Sequence, residues 1–154
     1  MTASTDNGLR ALVDTNVVVY AYDVDDPRKH DVARSLMEDL SNQGRLVLSA
    51  QVFNEFCSAM MSPKRKMRLS SDQLVVILRE LAATGEVVPV IPALTFRALD
   101  AMARHGFSFW DALIGSAAVE HEVAVIDTED FQDGRVVDGV RFINPFASIS
   151  SLPA

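Results

Sequence analysis

Cysteine is almost absent: Cys57 is the only one in 154 residues, which excludes an internal disulfide and suits a reducing cytoplasm. No apolar run approaches the roughly 18 residues that a membrane helix needs, and the polar start MTASTDNG does not read as a signal peptide. A cytoplasmic protein with no membrane segment is the expectation. Positive charge is also scarce: 14 Lys and Arg stand against 21 Asp and Glu, for a net charge of −7. That deficit speaks against broad nucleic-acid binding through a basic surface, unless clustered carboxylates hold divalent cations that reverse the local sign. Repeats, linkers and low-complexity stretches are missing too. What remains is an ordinary globular composition, 49% hydrophobic and 23% charged, at a length that predicts one domain with a real core.

Short β-rich runs alternate with helical ones. Residues 9–14 read as a strand that ends in Asp14, and Thr15 to Ala21 open a helix directly from it. Asp26 and Pro27 mark a helix start as N-cap and first helical residue. Ala33, Leu36, Met37 and Leu40 then recur at helical spacing, and Gly44 ends the element. The run 45–50 is a second strand. Residues 51–61 are apolar almost all round and predict a heavily buried helix, stopped by Pro63. Ser70 and Gln73 form a capping-box pattern ahead of Leu74, Ile77, Leu78 and Leu81, with Gly85 as the stop. EVVPVI is a strand-like piece whose Pro89 points to a sheet edge. Helices follow at 93–106, closed by Gly106, and at 107–122, rich in small residues. A buried strand at 123–127 ends in Asp127, TEDFQDG is a polar loop, and VRFINPF is a last strand-like run. Loose termini are expected at 1–8 and 147–154. Strands alternating with helices imply βαβ units, and hence a three-layer α/β/α sandwich around a mainly parallel sheet.

Parallel strands present their carboxyl ends along one edge, where open α/β folds place their ligands. Asp14 and Asp127 fall on that edge; Glu55, inside the helix after the second strand, and Asp111, near the start of its own helix, can face it. Taken singly, each acid has a bland reading. Asp14 can cap the helix behind it, and Asp111 can complete a capping box with Ser108. Glu55 can reach solvent beside Gln51 and Ser58, and Asp127, Glu129, Asp130 and Asp133 lie where loop acids are common. Together, carboxylates from four separated segments would repel one another unless cations neutralised them. Oxygen donors select a hard cation, Mg2+ or Mn2+. His30, His105 and His121 lack ligand spacing and read as structural or solvated, and Cys57 reads as a small buried hydrophobe.

LVDTNVVVYAY, QVFNEF, FSFWDALIGSAA and TEDFQDG followed by FINPF, in this order and spacing, resemble the PIN-domain ribonucleases, and among them the VapC-type toxins of bacterial toxin–antitoxin pairs. The resemblance spans nearly the whole chain. It implies a Mg2+- or Mn2+-dependent endoribonuclease acting on RNA, usual homodimerisation, and neutralisation by a small antitoxin protein. Position by position, Asp14, Glu55 and Asp111 match the first three acids of the family, and by that match its catalytic metal ligands. The fourth family acid follows a Ser or Thr by two residues, which selects Asp130 after Thr128. Asp127, one residue ahead of that motif, competes for the position or stands behind it as an extra acid. Thr15 and Asn16 match the polar residues after the first acid, and their expected role is to orient carboxylates or a bound water.

Lys64, Arg65, Lys66 and Arg68 form the only dense basic stretch, read either as a solvated segment or as a contact for RNA phosphates. Trp110, Phe107 and Phe109, beside a small-residue helix, are expected to fill core or a dimer seam rather than to stack on bases. Two other function classes also place acids at strand ends or keep this scaffold. One is a phosphoryl-transfer protein of the receiver or phosphatase-like kind; against it, Asn16 stands where such phosphatases use a second Asp, and no Lys follows a late strand. The other is a catalytically silent PIN-like module that only binds a partner, against which the retention of all four acids argues.

Overall fold

The computed structural model describes residues 8–150. Strands β1 (Ala11–Val13), β2 (Leu46–Ser49) and β4 (Val125–Asp127) are buried at every position. Continuous burial is the signature of central strands covered by helices on both faces. The six strands run in the order β3-β2-β1-β4-β6-β5, with β3 (Glu86–Val88) at one edge and β5 (Val136–Val137) at the other. Every neighbouring pair is parallel except β5, which returns antiparallel along β6 (Val140–Ile143). The three-layer α/β/α arrangement and the mainly parallel sheet are therefore as the sequence predicts, and Pro89 does follow an edge strand.

The β5–β6 hairpin is an addition to that expectation. Asp138 and Gly139 take φ of +50° and +82° between Val137 and Val140. Asp-Gly flanked by β-branched residues is a hairpin signal, because a two-residue primed turn needs positive φ at both positions.

Helix boundaries follow local chemistry. α1 (Thr15–Tyr22) starts on the Asp14 cap, and α2 (Pro27–Asn42) starts where Asp26 accepts the Lys29 N–H at 3.2 Å, with Pro27 in the first turn. α3 (Ala50–Met61) is capped by Ser49, and α4 (Ser71–Thr84) by a complete Ser70–Gln73 capping box. α5 (Pro92–His105) stops at Gly106, which holds φ +71°, and α6 (Phe109–Glu120) opens on Ser108. α3 is less buried than predicted. Gln51, Val52, Phe56 and Met60 face the interior, but Asn54, Ser58 and Met61 are open to solvent, so the helix covers the sheet with one side only. The C-terminal end also differs: Phe146 is fully buried and Ala147–Ser150 form a short helix, α7. A buried aromatic anchors the segment that the sequence reads as loose. The rest of the expected loose termini, residues 1–7 and 151–154, lies outside the described residues.

The core runs through the sheet and both helical layers, with Leu12, Leu48, Ile126, Phe56, Leu94, Ile114 and Phe142 fully buried or nearly so. Phe142 on β6 stacks on Phe131 at 4.1 Å between ring centres, and Phe107 meets Phe131 edge-on at 5.3 Å. These rings support the underside of the segment that carries residues 128–131 across the carboxyl edge of the sheet.

Candidate active site

Asp14 sits at the centre of this edge. Its N–H donates to the Asp127 carbonyl at 2.9 Å, which continues the β1–β4 ladder one step past the strand. The residue is only 8% exposed. One carboxylate oxygen accepts the Thr15 N–H at 2.7 Å and so caps α1; the other accepts the Thr128 hydroxyl at 2.7 Å. The capping and site readings of Asp14 thus hold together. Burial pushes this carboxyl up to about pH 6; the Thr128 and Thr15 hydrogen bonds pull the other way, and the nearby charges of Asp130 and Glu55 add to the rise.

Two acids flank Asp14, each held by the residue types that the sequence places after it. The Thr15 hydroxyl donates to Glu55 Oε2 at 3.2 Å, and Gln51 Nε2, one helical turn earlier on α3, donates to Glu55 Oε1 at 2.7 Å. On the other side Asn16 Nδ2 donates to Asp130 Oδ2 at 2.9 Å and to Thr128 Oγ1 at 3.2 Å. The Asp130 N–H donates back to Thr128 Oγ1 at 3.2 Å. The Thr128-x-Asp130 pattern is therefore a closed local turn that presents Asp130 to the Asn16 amide. Asp127, the last residue of β4, is buried and contributes the backbone carbonyl already described.

Asp111 occupies the first turn of α6, where its N–H donates to Ser108 Oγ at 3.3 Å. Among the described residues its carboxylate has no hydrogen-bond or ion-pair partner. α6 is tied to the rest of the site one residue earlier, because Gln51 Nε2 also donates to the Trp110 carbonyl at 3.0 Å. Among the described residues no group of three or more His, Cys, Asp or Glu side chains is close enough to form a ready-made metal cage.

A second ring of contacts is not foreseen in the sequence. The Glu129 carboxylate accepts the Tyr20 hydroxyl at 3.0 Å and the Lys29 ammonium at 2.7 Å, and Lys29 also donates to the Tyr20 hydroxyl at 3.2 Å. The Glu129 N–H points to Asn16 Oδ1 at 3.4 Å. This cluster fixes the 128–130 turn to α1 and α2. Lys29 follows Asp26 within a capped first turn, where nothing in the local pattern marks it as a partner for a residue one hundred positions away. Gln51 was readable, since it lies four residues before Glu55 on one helix face.

The basic stretch is divided. Arg65 pairs with Asp23 and donates to the Ala59 carbonyl at 2.9 Å, closing the far end of α1, about 12 Å along that eight-residue helix from Asp14. Lys66 approaches Asp25 at 3.8 Å, while Lys64 and Arg68 are exposed. Of the two places expected for Trp110, core or a dimer seam, the core of this chain does not hold it: it is 59% exposed. His30 bonds the Tyr20 carbonyl and His105 stands 3.3 Å from Asp138, both structural contacts as expected; Cys57 is half-buried. None of the helices is long and apolar enough to cross a membrane among the described residues.

Acids interleaved with hydroxyl and amide groups at the carboxyl edge of a parallel sheet define an acid-edged α/β/α domain. A sequence model of the PIN domain matches residues 11–136, and the chain belongs to that family. Ribonuclease VapC13 of Mycobacterium tuberculosis is 30% identical over 113 residues, covering 73% of this chain and 83% of that protein. Among solved structures, VapC20 of Mycobacterium tuberculosis, a toxin that cleaves the sarcin–ricin loop, superposes with a TM-score of 0.64 at 21% identity, covering 85% of this chain and 98% of its own. A toxin–antitoxin complex from Klebsiella pneumoniae gives 0.64 at 16% identity over 88% of this chain and 97% of the other. Family membership removes the receiver and phosphatase-like alternatives.

Proposed function

We propose that this chain is a divalent-metal-dependent endoribonuclease acting as the toxin of a toxin–antitoxin pair, held in check by a small antitoxin protein. The VapC relatives support the activity, and the toxin–antitoxin neighbour supports the partner. The observation that carries the chemistry is Asp14: a carboxylate buried between two other acids, hydrogen-bonded on both oxygens, and still pushed up to about pH 6. Such an arrangement gains from a cation. The donors fit a hard one, because they are carboxylate oxygens with hydroxyl and amide groups as support. The looseness of the ring also fits. Mg2+ keeps much of its hydration and uses one or two carboxylates rather than an all-protein cage, and Mn2+ takes the same donors.

Asp14 would be the central ligand, with Glu55 and Asp130 on either side and Asp111 closing the ring from α6. When bound, the cation supplies neutralisation of phosphodiester charge and activation of water. Thr15 and Asn16 hold Glu55 and Asp130 apart, so that the acids stay gathered without collapsing onto one another. Thr128 keeps one Asp14 oxygen directed by a 2.7 Å hydrogen bond. Asp130 is the fourth acid in this reading, since Asn16 positions it and its charge bears on Asp14. Homodimerisation belongs to the same proposal.

The test is cleavage of structured RNA with Mg2+ or Mn2+, abolished by EDTA and by Asp14→Asn; EDTA-resistant cleavage, or none in the wild type, rejects the reading. A silent partner-binding module would show the second result. Cutting the Lys29–Glu129–Tyr20 cluster with Lys29→Met is expected to lower activity about 10- to 100-fold through the misplaced 128–130 turn. Mn2+ titration by calorimetry should show weaker binding in that variant while its circular dichroism stays unchanged; equal Mn2+ affinity would refute the positioning role.

A further inference from the structure

Beside the acids lies a cavity of about 270 Å3 lined by Gln51, Asn54, Glu55, Val90, Trp110 and Leu113. It is small next to the roughly 300–1,000 Å3 pockets that enclose drug-sized ligands, a scale suited to one planar group. Glu55 belongs both to this cavity and to the acidic ring, and Trp110 immediately precedes Asp111. The two are joined through one side chain: Gln51 Nε2 donates to Glu55 Oε1 at 2.7 Å and to the Trp110 carbonyl at 3.0 Å. Two acceptors fix which way the amide faces. Gln51 is 6% exposed, and its Oε1 is buried with no partner among the described residues. A buried amide with an unmet acceptor weakens the fold. What it maintains is a fixed placement of the Trp110 main chain against Glu55.

We infer that Trp110, with Asn54 and Glu55 at the rim, forms a stacking subsite for a nucleobase of single-stranded RNA next to the acidic centre. The inference rests on the ribonuclease reading and adds how the substrate is held. The charge distribution favours it. A chain with net charge −7 offers few cations to phosphates, and Arg65 of its one basic stretch is committed to Asp23. Affinity must then draw on contacts that ignore charge, and an indole face beside a polar rim supplies one, because every base has a stacking face. Trp110 is 59% exposed and meets Phe109 at a steep angle, with centres 5.1 Å apart and planes at 76°, so much of its surface is left for a planar base.

Trp110 is the sole tryptophan, so its emission reports on this subsite alone. The full chain is titrated with an end-labelled RNA of about eight nucleotides, as wild type in EDTA and as Asp14→Asn in Mg2+, following both Trp110 emission and RNA anisotropy. Saturable quenching should track the anisotropy. Trp110→Leu should weaken binding about tenfold and Trp110→Phe much less; removing one base of the RNA should reproduce the loss at a single position. Binding without quenching, or equal affinity of Trp110→Leu, overturns the subsite and leaves the ribonuclease reading standing. Emission that changes with protein concentration before RNA is added assigns the face to a second copy of the chain and likewise overturns it. No RNA binding in either background overturns both.

Discussion

Asp14→Asn is expected to lower RNA cleavage by about 1,000-fold or more and, in the same protein, to raise the melting temperature of the metal-free form at neutral pH. The first effect follows from position. A single preorganised electrostatic group is commonly worth about 100- to 1,000-fold in rate, and Asp14 is the buried carboxylate on which the charges of Asp130 and Glu55 bear. The second follows from burial. The folded carboxyl keeps its proton up to about pH 6, whereas an unfolded one releases it near its ordinary value of 3.8. Between those values the folded state binds more protons, so stability falls as pH rises through this window and stays reduced above it. The displacement corresponds to roughly 3 kcal/mol at neutral pH. Asparagine removes that cost but satisfies Thr128 poorly, because the Thr128 oxygen already accepts from Asn16 and from the Asp130 N–H. A net gain of about 1–2 kcal/mol is expected, a few degrees in melting temperature for a chain of this size. The gain should vanish near pH 4. Mg2+ should stabilise the wild type and leave Asp14→Asn unmoved. A variant that melts lower than wild type at every pH would contradict this account of Asp14.

Phe142→Ala is the second large effect, expected to cost about 3–5 kcal/mol through a core cavity. Total stabilities are only about 5–15 kcal/mol. Phe142 is 2% exposed and stacks on Phe131, so its loss empties one end of the sheet layer. Denaturant unfolding should show the loss directly, and a loss below about 1 kcal/mol would mean that the rings repack. Activity should fall as well, because Thr128, the partner of Asp14, donates its own N–H to the carbonyl of Ile143, the next residue on β6.

The central strands were legible because β1, β2 and β4 are short apolar runs ended by Asp14, a Ser cap and Asp127. Helix starts were legible wherever a cap residue announces them, at Asp26, Ser70 and Ser108. The hairpin at Asp138-Gly139 was equally readable by its turn chemistry, yet it sits behind a long acidic loop that masks its rhythm. Of the proposed site, Glu55 and Asp130 are reached from the two residues after Asp14, through the Thr15 hydroxyl and the Asn16 amide. That the Asn16 amide meets Asp130 rather than Asp127 was not legible, because one residue of strand extension decides it. Lys29 and Glu129 could not be paired from sequence at all: a contact spanning one hundred residues leaves no local pattern. For Trp110 the small-residue helix predicts close packing, in the core or at a dimer seam, without saying which first-turn residue stays outside the core of the chain.

The two ends of the sheet carry a last consequence. β3 is followed at once by Pro89, and β5 offers only two residues before its turn, so among the described residues neither margin presents a long run of free backbone donors and acceptors. Strand-by-strand accretion, the ordinary hazard of a six-stranded sheet, has no template here. A protein that joins the described residues is therefore expected to do so through helix faces or loops, with its recognition written in side chains rather than in main-chain ladders.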